Sequence, residues 1–364
     1  MFPAIHSWKR GEPAQQEYFT FRNGLWYPVE IQGSTIPPGA ETPRSFRFSV
    51  LSWNIDFMRP LGDARMSAAL KHLQSLVSGK PDPSIIMFNE MTKSDLGLIK
   101  RADWVRDGYN ITDASTEHWE APSYGKYITC SSKNLTHTQP TNQPPPSSGI
   151  TGTCMLIPHT LPIKSLFRVH YERTSMQRDA LLVDVALPQA QTLRLCTSHL
   201  ESLRATPPKR PSQLATAARY LREAHAGVIG GDLNAIESFD RTLHAENDLK
   251  DAYLENGGVE GEEGGMTWGQ MAGRAGRERF GLSRMDKILF CGGVKLVGFE
   301  MFGMDVVVEG EEAAEHLLQT TDLEKPWVTD HLGVRAEFVV EMPEPVGEEG
   351  TTQEGTTEAQ QGTT

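Results

Sequence analysis

Short apolar runs that each close on a polar residue recur along this chain, and they limit its fold more than any other feature. Asn54 follows Ser49-Val50-Leu51-Ser52-Trp53, and Glu90 follows Ile85-Ile86-Met87-Phe88-Asn89. His199 follows Leu195-Cys196-Thr197-Ser198, and Asp232 with Asn234 follows Val228-Ile229-Gly230-Gly231. Asp286 opens the run that continues Lys287-Ile288-Leu289-Phe290, and Asp330 with His331 precedes Leu332-Gly333-Val334. Runs of this length read as buried strands. Strands are predicted at 46–55, 85–88, 127–130, 153–157, 163–169, 180–186, 193–197, 227–230, 287–290, 294–299 and 333–340. Apolar residues at helical spacing predict a helix over 64–77, ending before Gly79 and Pro81, and a second over 213–222. Many strands, few helices and no alternating strand–helix rhythm exclude a doubly wound sheet. They fit two packed sheets with helices outside.

Around that block the composition changes. Residues 1–45 carry Pro, Gly and scattered aromatics and read as an N-terminal arm without firm structure. Residues 133–148, rich in Pro, Ser, Thr and Asn, read as a surface insertion, and 257–265 as a Gly- and Glu-rich loop. After Met342 apolar residues almost vanish, so 343–364 is expected to be a disordered acidic tail. The main folded domain is then 46–342.

With 364 residues and 38% hydrophobic content the chain can bury a real core. No stretch reaches the roughly 20 apolar residues that cross a bilayer. The opening Met1-Phe2-Pro3-Ala4-Ile5-His6 has no apolar h-region, so a soluble intracellular protein is expected. Cys130, Cys154, Cys196 and Cys291 lie far apart in apolar runs with no CxxC pair. They read as buried free thiols, which suits a reducing compartment. A net charge of −12 argues against broad, sequence-blind nucleic-acid binding. About half of it, however, comes from Glu341, Glu344, Glu348, Glu349, Glu354 and Glu358, which says little about any cleft.

Taken singly, an Asn or Asp at a strand end is more often a turn residue or cap. A lone Glu there is usually just solvated, and a lone His is usually a hydrogen-bonded structural residue. The ordered combination is harder to explain as turns, because rigid sheets are where catalytic groups are positioned.

These residues carry a resemblance. Leu51-Ser52-Trp53-Asn54-Ile55-Asp56, Thr197-Ser198-His199-Leu200-Glu201-Ser202, Gly230-Gly231-Asp232-Leu233-Asn234, Arg284-Met285-Asp286-Lys287-Ile288 and Thr329-Asp330-His331-Leu332-Gly333 resemble the endonuclease/exonuclease/phosphatase superfamily. Within it the likeness is to the tyrosyl-DNA phosphodiesterase 2 type, which shares the first two runs and a Thr-Trp like Thr267-Trp268. The resemblance spans about 46–338. It implies an α/β fold, a four-layer α/β/β/α sandwich of two mainly antiparallel sheets with helices outside and the site at one end. It also implies roles. Glu90 would be the main ligand of Mg²⁺ (or Mn²⁺), a hard cation that wants carboxylate oxygen, and Asp330 would support the metal or its waters. Asp232 would take the proton from the attacking water. Asn234 and Asn54 would hydrogen-bond water and phosphate. His331, held by Asp286, and His199 would stabilise charge on the phosphate oxygens. Trp268 reads equally well as a stacking surface for a base or sugar and as a core residue.

Three features depart from the family pattern. Ala235-Ile236-Glu237-Ser238 stands where the subfamily has an arginine, Asn89 stands where a Gln usually precedes the metal carboxylate, and the 133–148 insertion is foreign. The expected activity is metal-dependent hydrolysis of 5′-phosphotyrosyl DNA ends by a monomer, away from membranes, in the nucleus and/or cytoplasm. The rivals are another superfamily hydrolase, acting on abasic DNA, phosphoinositides or sphingolipids, and an inactive binding scaffold on the same fold.

Overall fold

The computed structural model describes residues 8–31, 45–119 and 151–341. Strands are numbered along the chain. One sheet has seven strands in the order β1 (Pro13–Gln15), β8 (Ile163–His170), β9 (Asp179–Ala186), β10 (Thr192–Ser198), β11 (Ala226–Asp232), β13 (Asp286–Gly292) and β12 (Lys250–Asp251). The other has eight: β14 (Val294–Phe302), β15 (Gly333–Glu341), β4 (Ser45–Asn54), β5 (Ser84–Met91), β7 (Gly152–Pro158), β6 (Tyr109–Ile111), β2 (Tyr18–Arg22) and β3 (Leu25–Val29). Only β10–β11 and β4–β5 pair in parallel among the described residues.

Side chains alternate faces along a strand, and the three large apolar clusters follow that alternation. Phe48, Val50, Ile85 and Met87 from one sheet meet Val183, Leu195, Val228 and Ile288 from the other, forming the core between the sheets. Leu51, Trp53, Ile86 and Phe88 point the opposite way, onto Met66, Ala69, Leu70 and Leu73 of the helix Gly62–Val77. Leu182, Cys196 and Ile229 back onto Leu214, Ala217, Ala218 and Leu221 of the helix Arg210–Arg222. Both faces of the central strands are covered, which is why they read as continuous apolar runs. The result is the four-layer α/β/β/α sandwich.

Within the expected arm, residues 8–31 are not without firm structure. Within them β1 pairs antiparallel with β8, β2 pairs with β6, and β2 and β3 form a hairpin. The hairpin turn is Asn23-Gly24, with φ of 48° and 82°. Two successive positive-φ residues give the turn that matches strand twist, and Asn-Gly is its strongest signal. The expected strand at 127–130, the insertion 133–148, Cys130 and the tail 343–364 lie outside the described residues. Cys154 and Cys196 are buried free thiols, and Cys291 is free and partly buried. No helix among the described residues is long and apolar enough to cross a membrane.

Candidate active site

The parallel strands β4, β5, β10 and β11 run toward the same end of the sandwich, where their antiparallel neighbours β13 and β15 begin. Strand direction therefore gathers the polar residues that are scattered in sequence. Asp232, last in β11, sits opposite Asp286, first in β13, and Asn54 sits beside Asn89 across β4–β5. Glu90 is aimed by a bulge: the β5–β7 register shifts between Phe88 and Met91, and Glu90 has φ 58°. Asp56 (φ 54°) and Asn234 (φ 49°) share this left-handed conformation, so backbone strain collects at the site.

Asp232 is the hub. Its Oδ2 accepts from Asn54 Nδ2 at 2.9 Å, and its Oδ1 accepts from the Asn234 backbone N–H at 2.9 Å. Its own N–H donates to Asn89 Oδ1 at 2.8 Å, so Asn89 ties one sheet to the other beneath the site. His199 Nε2 and His331 Nε2 stand 3.2 and 3.8 Å from Oδ2. Burial alone would raise the Asp232 pKa, but the His199 and His331 imidazoles outweigh it and hold the carboxyl well below the usual range.

The two histidines differ. His331 Nδ1 meets Asp286 Oδ2 at 2.8 Å, and Thr267 Oγ1 donates to the same oxygen at 2.8 Å. Burial opposes charge on His331, yet Asp286, Asp232 and Asp330 win and raise its pKa well above the ordinary value. Burial likewise lifts Asp286 to about 6, against the pull of His331. His199 is pushed down to about 4 by burial and by the Arg178 guanidinium. Arg178 Nη1 lies 2.7 Å from His199 Nδ1. A guanidinium only donates, so Nδ1 must accept and the ring proton sits on Nε2. That N–H is buried, makes no well-aligned hydrogen bond, and faces Asp232 and Glu90. An anionic oxygen placed there would satisfy it.

Two carboxylate groupings could hold a cation. Asp232, Asp286 and His331 offer ligand atoms within 4.8 Å of one another. Asp232 and Asp286 Oδ2, however, are filled by amides, hydroxyl and imidazole, and the raised His331 already supplies positive charge. Glu90 is different. It is 17% exposed, and its Oε2 accepts only a long 3.3 Å bond from Phe57 N–H. Burial, then the charge of Asp56, raise its pKa to about 7, with Asp330 adding to the push. Arg178 and His331 pull the other way without cancelling that rise, and a hard divalent cation fits such a carboxylate. Arg59 borders this group, 2.9 Å from Asp56 and 4.0 Å from Asp330.

Eight of the nine residues singled out in the sequence thus meet directly around Asp232 and Glu90. The ninth, Trp268, stands at the rim, partly exposed, and spends its indole N–H on Asp330 Oδ2 at 2.9 Å. Sequence reasoning missed Asn89, Arg59, Arg178 and Thr267, and it gave Asp56 no role. Asp56 lies inside the first motif and Thr267 in the Thr267-Trp268 pair; Asn89 and Arg178 act through partners far away in sequence, and Arg59 through Asp56 three residues back and Asp330.

The pattern defining the Endonuclease/Exonuclease/phosphatase family matches residues 51–331. No curated protein matches the chain. Among solved structures, the fold is similar to TDP2 from Caenorhabditis elegans, with TM-score 0.52 at 20% identity, covering 80% of this chain and 74% of that one. It is similar to D. rerio TDP2 complexed with single-strand DNA product, with TM-score 0.54 at 17% identity, covering 80% and 98%. It is also similar to ANGEL2, a 2′,3′-cyclic phosphatase, with TM-score 0.52 at 15% identity, covering 85% and 100%. At these identities the likeness is one of fold. The family pattern covers most of the chain, and with the sandwich and the polar cluster at its end it places this protein in the endonuclease/exonuclease/phosphatase family.

Proposed function

We propose that this protein hydrolyses 5′-phosphotyrosyl DNA ends in a reaction that depends on Mg²⁺ or Mn²⁺. The observation that carries this reading is that each of three central titratable groups has one side fixed by a partner. Asp232 is held by amides and imidazoles, His331 by Asp286, and His199 by Arg178. With both rings turned to the phosphate oxygens and Asp232 given to the water, none of the three is left to protonate a poor leaving group. A phenolate needs no such help, since its conjugate acid has a pKa of about 10.

Asp232, anionic throughout the physiological range, orients water and receives its proton. Water attacks phosphorus in line, the bond from phosphorus to the tyrosyl oxygen breaks, and the 5′-phosphate stays on the DNA. The Nε2–H groups of His199 and His331 and the amide of Asn54 stabilise the phosphate oxygens. Asn234 spends its side-chain N–H on Leu200 O at 3.0 Å, so its contribution comes through the backbone N–H on Asp232. Glu90, with Asp56 and Asp330 beside it, would hold the metal, which neutralises phosphate charge. Trp268 offers a face to the terminal nucleotide. The substrate is a DNA end gripped by a few nucleotides, so the protein would act as a monomer in the nucleus and/or cytoplasm.

The test is a panel of kcat/KM values at one ionic strength with Mg²⁺. It would contain 5′-tyrosyl DNA, abasic duplex, a phosphoinositide, sphingomyelin and a 2′,3′-cyclic phosphate. Tyrosyl DNA should win. A rival faster by about tenfold, worth roughly 1.4 kcal/mol in the barrier, would leave the family intact and remove this substrate.

A further inference from the structure

Glu201 lies in the Ser198-His199-Leu200-Glu201-Ser202 run, yet no step of the reaction uses it. It is only 3% exposed and accepts from Thr174 Oγ1 at 2.8 Å, Ser175 N–H at 2.8 Å, Lys209 Nζ at 3.0 Å and Gln213 Nε2 at 3.3 Å. A buried carboxylate is costly unless its lone pairs are filled. Two of these four donors, Thr174 and Ser175, come from the loop 171–178, which ends at Arg178.

Thr174 has one hydroxyl proton, and it is spent on Glu201. Its oxygen is then left to accept, and it does so from the backbone N–H groups of Arg178 at 3.0 Å and Met176 at 3.2 Å. The loop is closed by Tyr171 N–H on Arg178 O at 3.1 Å, and Arg10 grips it from outside through Tyr171 O at 3.0 Å. At its end the Arg178 guanidinium donates to His199 Nδ1 at 2.7 Å and Ser202 Oγ at 2.9 Å. Hydrogen bonds therefore link Glu201 through Thr174 to the Arg178 backbone, and the Arg178 side chain carries the link on to His199.

We propose that Glu201 and Thr174 are positioning residues: they set the Arg178 backbone so that its guanidinium locks His199 in the Nε2–H form that faces the scissile phosphate. The rate assay rests on the phosphodiesterase reading; the state of the ring does not. A carboxylate that only steadied the loop would be indifferent to whether Arg178 is present.

The full-length protein would be compared as wild type, Thr174→Val, Thr174→Ser and Arg178→Ala, with and without Val at 174. Bis(p-nitrophenyl) phosphate with Mg²⁺ serves as the probe substrate. Thr174→Val should lower kcat about tenfold with KM little changed, because a misaimed His199 weakens contacts made in the transition state. Thr174→Ser, which keeps the hydroxyl, should stay within about twofold, and Thr174→Val should cost almost nothing once Arg178 is Ala. Wild-type kcat in Thr174→Val, or the same loss with and without Arg178, overturns the proposal. Nitrogen-15 spectra of the His199 ring, at one pH and without substrate, give the second readout. A single Nε2–H tautomer that Thr174→Val disturbs supports the positioning role, and a tautomer left untouched overturns it. A wild type that cleaves no phosphodiester would overturn the proposed function, and the spectra would still decide this one.

Discussion

Glu90 combines a strained backbone, like-charged neighbours and partial exposure, and these together make it responsive to metal and to protons. Its pKa is raised to about 7 by burial and Asp56, above the ordinary carboxylate value. The folded, metal-free protein therefore holds a proton there that the unfolded chain releases at lower pH. Stability from this group is present at low pH and is lost as pH rises through about 7. A divalent cation must displace that proton. The rise in thermal midpoint on adding Mg²⁺ should thus be small near pH 5 and grow through about pH 7, and Glu90→Gln should abolish the growth. An Mg²⁺ shift that is constant across this range would place the metal elsewhere. The Asp286–His331 pair gives a second test at this scale. Asp286 acts on phosphate only through His331, so His331→Ala and Asp286→Ala should each cost roughly 10²-fold in kcat and the double variant little more. Purely additive losses would show two independent groups. Glu90, Asp232, Asp286 and His331 were legible because each closes or opens an apolar run. Arg178 and Asn89 were not, since nothing local marks a side chain whose partner lies 21 or 143 residues away.

At the scale of elements, the site depends on how closely β10 and β11 approach. A Cβ on Gly231 would lie 1.9 Å from the Ser198 carbonyl oxygen, which is backbone and cannot yield. A Cβ on Gly230 would meet Met87 Sδ at 3.0 Å and Ser52 Cβ at 3.4 Å, where a flexible thioether can shift. Gly231→Ala should therefore part the two strands, lowering the urea midpoint severely or preventing soluble expression. Gly230→Ala should cost about 1–3 kcal/mol, the usual range for overpacking. Equal behaviour of the two variants would contradict this strand spacing. Most of the strands were readable from their apolar runs because both faces are buried. The hairpin β2–β3 carries its own local signal, Asn23-Gly24 between Phe21-Arg22 and Leu25-Trp26, although Pro and Gly surround it. The bulge at Glu90 was not readable, since register depends on β7, a strand more than 60 residues further on.

For the whole molecule, the N-terminal strands matter because they close both sheets. β1 covers the β8 edge, with Gly11 N–H on His170 O at 2.8 Å and Gln16 N–H on Leu166 O at 3.0 Å. β2 and β3 extend the other sheet past β6, and Trp26 Nε1 reaches Lys100 O at 3.1 Å. Between the two edges Gln16 joins a buried charge cluster. Its Nε2 donates to Thr112 O at 2.9 Å, while its Oε1 accepts from Arg168 Nε at 3.3 Å. Arg168 in turn holds Asp113 and Asp179, each at 3.0 Å. Removing Gln16 leaves a buried guanidinium N–H unsatisfied, a loss of about 1–3 kcal/mol. Uncovering β8 and β6 adds exposed strand edges that invite pairing between chains. Deleting residues 1–31 should therefore lower the thermal midpoint by roughly 5–10 °C and promote aggregation, and Gln16→Ala alone should reproduce part of the shift. Scanning calorimetry on both variants with the sequence otherwise intact is the measurement. An unchanged midpoint after the deletion would mean that the segment adds no stability to the sandwich, as expected of a loose arm.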